Sequence, residues 1–130
     1  MDAAPDRTLD LVGQERSALT GLPAELAEAL APYTERLDLD VIGRAWALAV
    51  EAHAGQRRAS GDDYVQHTME VAAILAGLRL DTASIVAGLV HDVVEDTAVS
   101  LHELEERFGR EVATLVDGVT KIGRVQFRSH

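Results

Sequence analysis

The chain has 130 residues, of which 47% are hydrophobic and 26% charged, and its net charge is −10. These values are typical of one globular domain and exclude a disordered chain, and the lack of cysteine excludes disulfides and thiolate zinc sites. So acidic a chain is unsuited to direct contact with nucleic acid, whose phosphates need cations. Apolar runs fall short of the roughly 18 residues of a membrane span, and the acidic N-terminus is unlike a signal or transit peptide. We expect a cytoplasmic protein that does not enter a membrane.

The first half of the chain predicts two clear helices. Residues 1–20 have weak periodicity and indicate at most one short helix. A second helix opens at Pro23, because proline suits the first helical turn. The third helix covers residues 41–55 and has Asp38 or Asp40 as its N-cap. Its apolar stripe consists of Ile42, Trp46, Ala49 and His53.

The second half predicts four more helices, over residues 64–78, 82–97, 100–109 and 110–119. One face of the first of these carries His67, Val71, Ile74 and Leu78. The next follows Asp81 as its cap and is apolar nearly all round, so we expect it to be central. Ser100 and Glu103 form a capping box for the third, and Gly109 ends it. Strand alternation with hairpin turns is lacking, so the predicted fold class is all-α.

The stretch IVAGLVHDVVEDTAVS, residues 85–100, combines an interior composition with a dense cluster of polar groups. The cluster consists of His91, Asp92, Glu95 and Asp96. Ionised carboxylates are costly to bury unless they are paired or bound to a metal. These three also lie at the C-terminal end of a predicted helix, where the macrodipole is already negative. We infer that a cation neutralises them.

A divalent metal site is the interpretation we favour for His67, His91 and Asp92. His67 lies 24 positions before His91, on the preceding helix, so antiparallel pairing of the two helices brings it opposite. Two imidazoles and a carboxylate without sulfur suit manganese, iron or zinc. The alternative for His67 alone is a hydrogen-bonded core histidine, which is the commoner role on an apolar stripe.

Glu95 and Asp96 follow His91 and Asp92 by four residues each, so they project from the same helix face. Carboxylates just beside a metal are placed to orient or deprotonate a metal-bound water. The alternative is a solvated acidic helix end. That reading places like charges together at the unfavourable end of the dipole, so we favour the chemical role.

Two clusters of basic residues stand out among the 12 in the chain. Arg57 and Arg58 lie on the polar loop before His67, where a guanidinium can pair with phosphate or stack on a purine, or simply be exposed. The second group comprises Thr120, Lys121, Arg124 and Arg128. We interpret it as a surface or inter-domain contact. We interpret His53 as structural, or as support for a ligand.

The segments AHAGQRRASGDDYVQHTMEVAAILAGL and VAGLVHDVVEDTAVSLHELEERFGREVATLVDGVTKIG closely resemble the N-terminal HD hydrolase domain of the bifunctional RelA/SpoT homologues. Those proteins make and degrade the alarmone (p)ppGpp in the stringent response. The resemblance covers about residues 41–129, and HDVVEDT with LVDGVTK distinguishes this family from other HD enzymes. It implies hydrolysis of the 3′-pyrophosphate of (p)ppGpp to GDP or GTP plus pyrophosphate. We expect a single domain over residues 1–130, the front part of an HD hydrolase domain, with a helical lead-in over residues 1–37 and the HD core portion over residues 38–130.

The resemblance also implies three groups of site residues. The family's Mn²⁺ ligands match His67, His91 and Asp92. Its catalytic acidic pair matches Glu95 and Asp96. Its base-binding loop matches Arg58, which packs on guanine, and Ser60.

The chain departs from the family pattern at several positions. Ala59 stands where a lysine is usual, and Asp63 and Thr68 replace usual prolines. An ADRLHN-like string, which supplies the fourth metal ligand, is missing, since Asp117 belongs to LVDGVTK. We therefore expect a partial HD bundle that lacks its C-terminal helices, binds metal weakly and has uncertain activity alone. A longer parent chain would carry the synthetase and regulatory domains.

Two other functions stay open. A non-catalytic HD-like module for packing or regulation predicts that replacing His67 or Asp92 leaves bound metal and stability unchanged. An HD phosphohydrolase with another nucleotide substrate is disfavoured by the Arg58 loop and by HDVVEDT. Self-association through an exposed apolar face is a further alternative.

Overall fold

The structure, a computed structural model, describes residues 19–54 and 64–128. Its α-helices are α1 (Ala24–Leu30), α2 (Leu39–Ala52), α3 (Tyr64–Gly77), α4 (Thr82–Asp96), α5 (Leu101–Phe108) and α6 (Arg110–Arg128). A 3₁₀ segment, Ala31–Arg36, joins α1 to α2, and residues 19–20 are also helical. These two described stretches contain no strand, which confirms the all-α prediction. The short helix predicted within residues 1–20 falls almost wholly outside them.

Helix α4 is the centre of the fold. It packs against α2, α3 and α6. Its buried residues are Ile85, Val86, Ala87, Gly88, Leu89, Val90 and Val93. Burial of a large apolar side chain stabilises a fold by about 1.5–3 kcal/mol, so this helix is firmly held. The prediction that a helix apolar nearly all round would be central is confirmed.

Side-chain oxygens cap three helices at their N-termini. The cap and the backbone N–H that it accepts are Asp38 with Val41, Asp81 with Ser84, and Ser100 with Glu103, at 3.3, 3.0 and 3.1 Å. Of the two candidate caps for α2, the structure selects Asp38. Asp40 lies within the first turn, where it pairs with Arg44 at 3.5 Å. The predicted caps of α4 and α5 are confirmed.

The 3₁₀ segment contacts the turn between α3 and α4 through Tyr33. Arg79 has a φ of +60°, and α3 ends with hydrogen bonds from Arg79 N to Ala76 O and from Leu80 N to Leu75 O, the pattern of a Schellman motif. The hydroxyl of Tyr33 donates to Leu80 O at 2.8 Å, and the Arg79 guanidinium lies 5.4 Å from the centre of the tyrosine ring. Burial raises the pKa of Tyr33, which keeps this donor protonated.

The apolar face identified on α3 from the sequence is not its buried face. Ile74 and Leu78, two members of that face, are each 66% exposed. The residues that are buried are Thr68, Met69, Ala72 and Ala76. Helix α3 packs against both α1 and α4, and small side chains such as alanine allow closer approach of helices than leucine does. Because the sequence is apolar on both faces, the large residues do not mark the buried one.

Helix α6 is longer than predicted. The pattern indicated an end at residue 119, yet the helix continues to Arg128. A glycine such as Gly118 costs about 1 kcal/mol within a helix, which is less than a proline costs, and the segment contains no proline. Of the predicted basic group, Lys121 pairs with Asp117 at 2.9 Å. None of the described helices has both the length and the apolarity needed to cross a bilayer.

Replacement of Asp81 by alanine is expected to destabilise the protein by about 1 kcal/mol, because the first turn of α4 loses its cap. Hydrogen bonds from the Ser84 side chain and backbone lower the pKa of Asp81. A lowered pKa means that the folded chain favours the ionised form, so this stabilisation is present above a pH of about 4 and is lost as the pH falls through the lowered pKa. Urea unfolding at neutral and acidic pH measures both effects.

The control is Asp81→Asn, which keeps a side-chain oxygen acceptor but does not titrate. Its stability should change less between the two pH values than that of the wild type. An Asp81→Ala variant as stable as the wild type at neutral pH would contradict the role of this cap.

Candidate metal centre

Three polar side chains meet where the start of α3 lies against the end of α4. His67 Nε2 lies 3.7 Å from Asp92 Oδ2, and His91 Nε2 lies 3.2 Å from Asp92 Oδ1. The centroids of the two imidazole rings are 6.0 Å apart. One ligand atom from each residue lies within 4.8 Å of the other two. The predicted convergence of these residues across an antiparallel helix pair is confirmed.

The geometry of α4 explains how neighbouring residues can share one centre. Side chains of consecutive helical residues point about 100° apart, so His91 and Asp92 converge only on a point close to the helix. Asp92 lies between the imidazoles and directs one carboxylate oxygen towards each. The side chains are 28%, 16% and 15% exposed for His67, His91 and Asp92. The centre is therefore largely enclosed but open to a ligand on one side.

A backbone hydrogen bond fixes the ring of His91. Its Nδ1 lies 2.8 Å from the carbonyl oxygen of Gly88. Because a carbonyl oxygen can only accept, Nδ1 carries the hydrogen and donates. In the neutral ring, Nε2 then carries the lone pair, and this atom faces Asp92. Such an orienting bond to the distal nitrogen is usual for metal-binding histidines.

The donor set fits a hard or borderline divalent cation. Two imidazole nitrogens and a carboxylate, without sulfur, suit manganese, iron or zinc. The centre also lies at the C-terminal end of α4, where the macrodipole attracts positive charge. The three ligands found among the described residues leave further coordination positions, which water, substrate or another side chain could fill.

The predicted catalytic pair lies one turn beyond these ligands. Glu95 and Asp96 are both exposed, and Asp96 is the last residue of α4. Thr97 follows as the C-cap, and its hydroxyl donates to Val93 O at 2.6 Å. This ordered end holds the acidic pair on the solvent side of the centre.

The remaining predicted site residues and histidines are not among the described residues of this centre. Arg58 and Ser60 fall between residues 55 and 63, outside the described part of the chain. His53 is 2% exposed, in keeping with its structural interpretation. His102 lies on the surface of α5 and pairs with Glu106 at 2.8 Å.

An apolar cavity of about 290 Å³ adjoins the centre at His91. It lies between α3, α4 and α6 and is lined by Val71, Leu75, Leu80, Ser84, Ala87, Gly88, His91, Leu115 and Val119. The sequence did not indicate this cavity, because a space between three helices depends on how they pack against one another. Two apolar residues of α6 four positions apart, Leu115 and Val119, were the available signal.

Comparison with known proteins agrees with this arrangement. Residues 45–129 match the family model of the HD domain. The chain therefore belongs to the HD-domain family. Members of that family bind divalent metals, and the group described above supplies a suitable donor set.

Similarity to individual curated proteins narrows the assignment within the HD-domain family. The chain is 46% identical over 108 residues to a GTP pyrophosphokinase of Myxococcus xanthus, and 43% identical over 111 residues to a probable GTP pyrophosphokinase of Mycobacterium leprae. It is 39% identical over 103 residues to the bifunctional (p)ppGpp synthase/hydrolase SpoT of Escherichia coli. These matches cover 79–85% of the chain but only 14–15% of each relative. The resemblance to the RelA/SpoT homologues is confirmed.

Removal of one candidate ligand is expected to weaken metal binding strongly. His67→Ala and Asp92→Ala should each raise the dissociation constant for Mn²⁺ by about 100-fold, because each deletes a donor atom of the centre. Calorimetric titration measures this, and thermal unfolding with and without EDTA gives a second readout. His102→Ala is the matched control, since that histidine is on the surface of α5. Unchanged affinity in both ligand variants would exclude a metal centre here.

Proposed function

We propose that this chain is part of a hydrolase domain that removes the 3′-pyrophosphate of (p)ppGpp. The observation that carries the proposal is the convergence of His67, His91 and Asp92 in an HD-domain chain with a SpoT-like sequence. The relatives include a GTP pyrophosphokinase and a bifunctional (p)ppGpp synthase/hydrolase, so both synthesis and hydrolysis occur among them. A helical HD domain with a centre of histidines and an aspartate supports hydrolysis, rather than synthesis, as the activity of this part of the protein.

We propose Mn²⁺ as the cation held by His67, His91 and Asp92. The mixed nitrogen and oxygen donor set supports it, as does the negative charge of this helix end. When bound, a divalent ion supplies Lewis-acid polarisation of a phosphate oxygen. It also supplies the local positive charge that a polyanionic substrate needs on a chain with a net charge of −10.

Glu95 and Asp96 are the proposed proton-transfer residues. Hydrolysis breaks the bond between the pyrophosphate and the ribose 3′-oxygen, with the oxygen of water going to phosphorus and a proton to the 3′-oxygen. A carboxylate at the solvent side of the centre can accept the proton of the attacking water and return it to the leaving oxygen. The exposed position of both side chains at the end of α4 supports this role.

Recognition of the nucleoside is assigned to Arg58 and Ser60 on the resemblance alone. A guanidinium can stack on a purine face, and a serine hydroxyl can donate to a ring acceptor. The departures at Ala59, Asp63 and Thr68 fall in or next to this loop. Thr68 is fully buried and donates to Val65 O at 3.0 Å, so it satisfies its own hydroxyl where the family's proline would have none.

The domain organisation is proposed on the same basis. Residues 38–130 form the HD portion, with residues 1–37 as a lead-in within one domain. Leu26 and Leu30 of α1 are fully buried in the common core, which supports treating the lead-in as part of it. Since the matched region is a small fraction of each relative, we propose a cytoplasmic parent protein with synthetase and regulatory domains.

Neutralising the acidic pair should abolish turnover without loss of the metal. We expect Glu95→Gln and Asp96→Asn each to lower the rate of pyrophosphate release from ppGpp by at least about 100-fold. A coupled phosphate assay with Mn²⁺, on this chain and on the proposed parent protein, measures the rate. Calorimetry should show Mn²⁺ affinity close to that of the wild type.

Glu105→Gln is the matched control, because this half-buried carboxylate lies on α5, away from the centre, and pairs with Arg110. Its rate should equal that of the wild type. Turnover of ppGpp that survives Asp92→Ala would refute the proposed role of the metal centre in the reaction. Metal binding without turnover of ppGpp in either protein would favour a regulatory module, and turnover of a different nucleotide would reassign the substrate.

A further inference from the structure

We propose that Gly88 is a positioning residue of the metal centre, an inference that rests on the proposed metal-binding role of that centre. Its missing side chain lets α3 approach α4 one helical turn from the ligands. Its carbonyl oxygen also orients His91. A side chain larger than a methyl group at this position would separate His67 from its partners on α4.

The space around Gly88 differs from that around the other described glycines. A Cβ atom on Gly88 would lie 2.7 Å from Leu75 Cδ1, 3.6 Å from Val71 Cγ1 and 3.8 Å from Ala72 Cα. Nothing lies within 4 Å of a Cβ placed on Gly21, Gly43, Gly77, Gly109 or Gly118. Carbon atoms in favourable contact are about 3.5–4.0 Å apart. A first carbon therefore displaces only the tip of a leucine, whereas further carbons meet the α3 backbone.

This close contact is in register with the ligands. Val71 follows His67 by four residues on α3, and Gly88 precedes Asp92 by four residues on α4. Residues four apart lie above one another on a helix face. The contact between Val71 and Gly88 therefore lies one helical turn from the contact between His67 and Asp92. Because the helices are stiff over one turn, a change in their separation at the first contact also changes it at the second. A wedge at residue 88 would lengthen the 3.7 Å span from His67 to Asp92.

The backbone of Gly88 acts on the other histidine. Its carbonyl accepts the Nδ1 hydrogen of His91, which leaves Nε2 directed at Asp92. One residue therefore serves both imidazoles: its carbonyl orients the histidine on its own helix, and its lack of a side chain admits the histidine of α3. Sequence patterning gives no sign of this, because a glycine within IVAGLV reads as one more small residue of a buried helix.

The deciding variant is Gly88→Val. Valine holds essentially one rotamer in a helix, so its methyl groups cannot turn away from α3. We expect the dissociation constant for Mn²⁺ to rise at least about tenfold, the loss usual for groups that orient metal ligands. Gly88→Ala should stay within about threefold of the wild type, because only the Leu75 methyl must move, and it can turn into the adjoining cavity. Gly118→Val makes the same change at an open helical glycine and should not alter affinity.

A second readout needs no metal. The rings of His67 and His91, 6.0 Å apart between centroids, should give a nuclear Overhauser effect in the metal-free wild type. It should disappear in Gly88→Val and persist in Gly118→Val. An undiminished effect in Gly88→Val would overturn the inference. A wild-type chain that binds no Mn²⁺ would instead defeat the proposed function, and the same spectra would still decide the role of Gly88.

A further variant tests the inference if Gly88→Val does not fold. If Gly88→Val does not fold alone, it is combined with Val71→Ala and Leu75→Ala, which remove the side-chain atoms nearest to residue 88. The combined variant should fold with the contact between the two imidazoles still lost, because Ala72 Cα of the α3 backbone remains 3.8 Å from a Cβ at residue 88 and still meets the valine methyl groups. An undiminished contact in this variant would also overturn the inference.

Discussion

The close antiparallel packing of α3 against α4 is the contact on which the candidate centre depends. Neither helix carries a complete ligand set, since consecutive residues such as His91 and Asp92 diverge unless their target lies against the helix. The imidazole of His67 completes the set only because the two helix axes are near and in register. Small residues on both helices, Ala72 and Gly88, make that approach feasible. The chemistry of this site is therefore set by core packing.

The same contact accounts for an arrangement that local stability disfavours. Three carboxylates at the C-terminal end of α4 repel one another and oppose the helix dipole. The burial of the preceding turns, Ile85 to Val93, fixes this end in place against that repulsion. A divalent cation would remove most of the electrostatic cost. A charge cluster on a well-packed helix therefore fits the proposed metal centre, because the negative charge is held where a cation would bind.

Part of the structure could be predicted from the sequence, and the features that could not be predicted have physical causes. The centrality of α4, the caps at Asp81 and Ser100 and the position of His67 opposite α4 could be predicted, because each depends on nearby residues or on one helix pairing. The buried face of α3 could not, since both of its faces are apolar and tertiary packing chose the alanines. The extent of α6 depends on the absence of a strong stop after residue 119, which a weak pattern does not reveal. The contribution of Gly88 depends on a distance between helices that no single segment encodes.

The two ends of the α3–α4 hairpin are held in different ways. At the turn, Tyr33 donates to Leu80 O, and Thr82 Oγ1 accepts from the backbone N–H of Asp38, so the preceding segment is fastened to the closed end. At the open end, His67 of α3 lies beside Asp92 and His91 of α4. An ion bound there would hold the two helices together at the open end as well. Because the far end of the hairpin is already held by hydrogen bonds, an ion at the open end would restrain both ends of the α3–α4 pair.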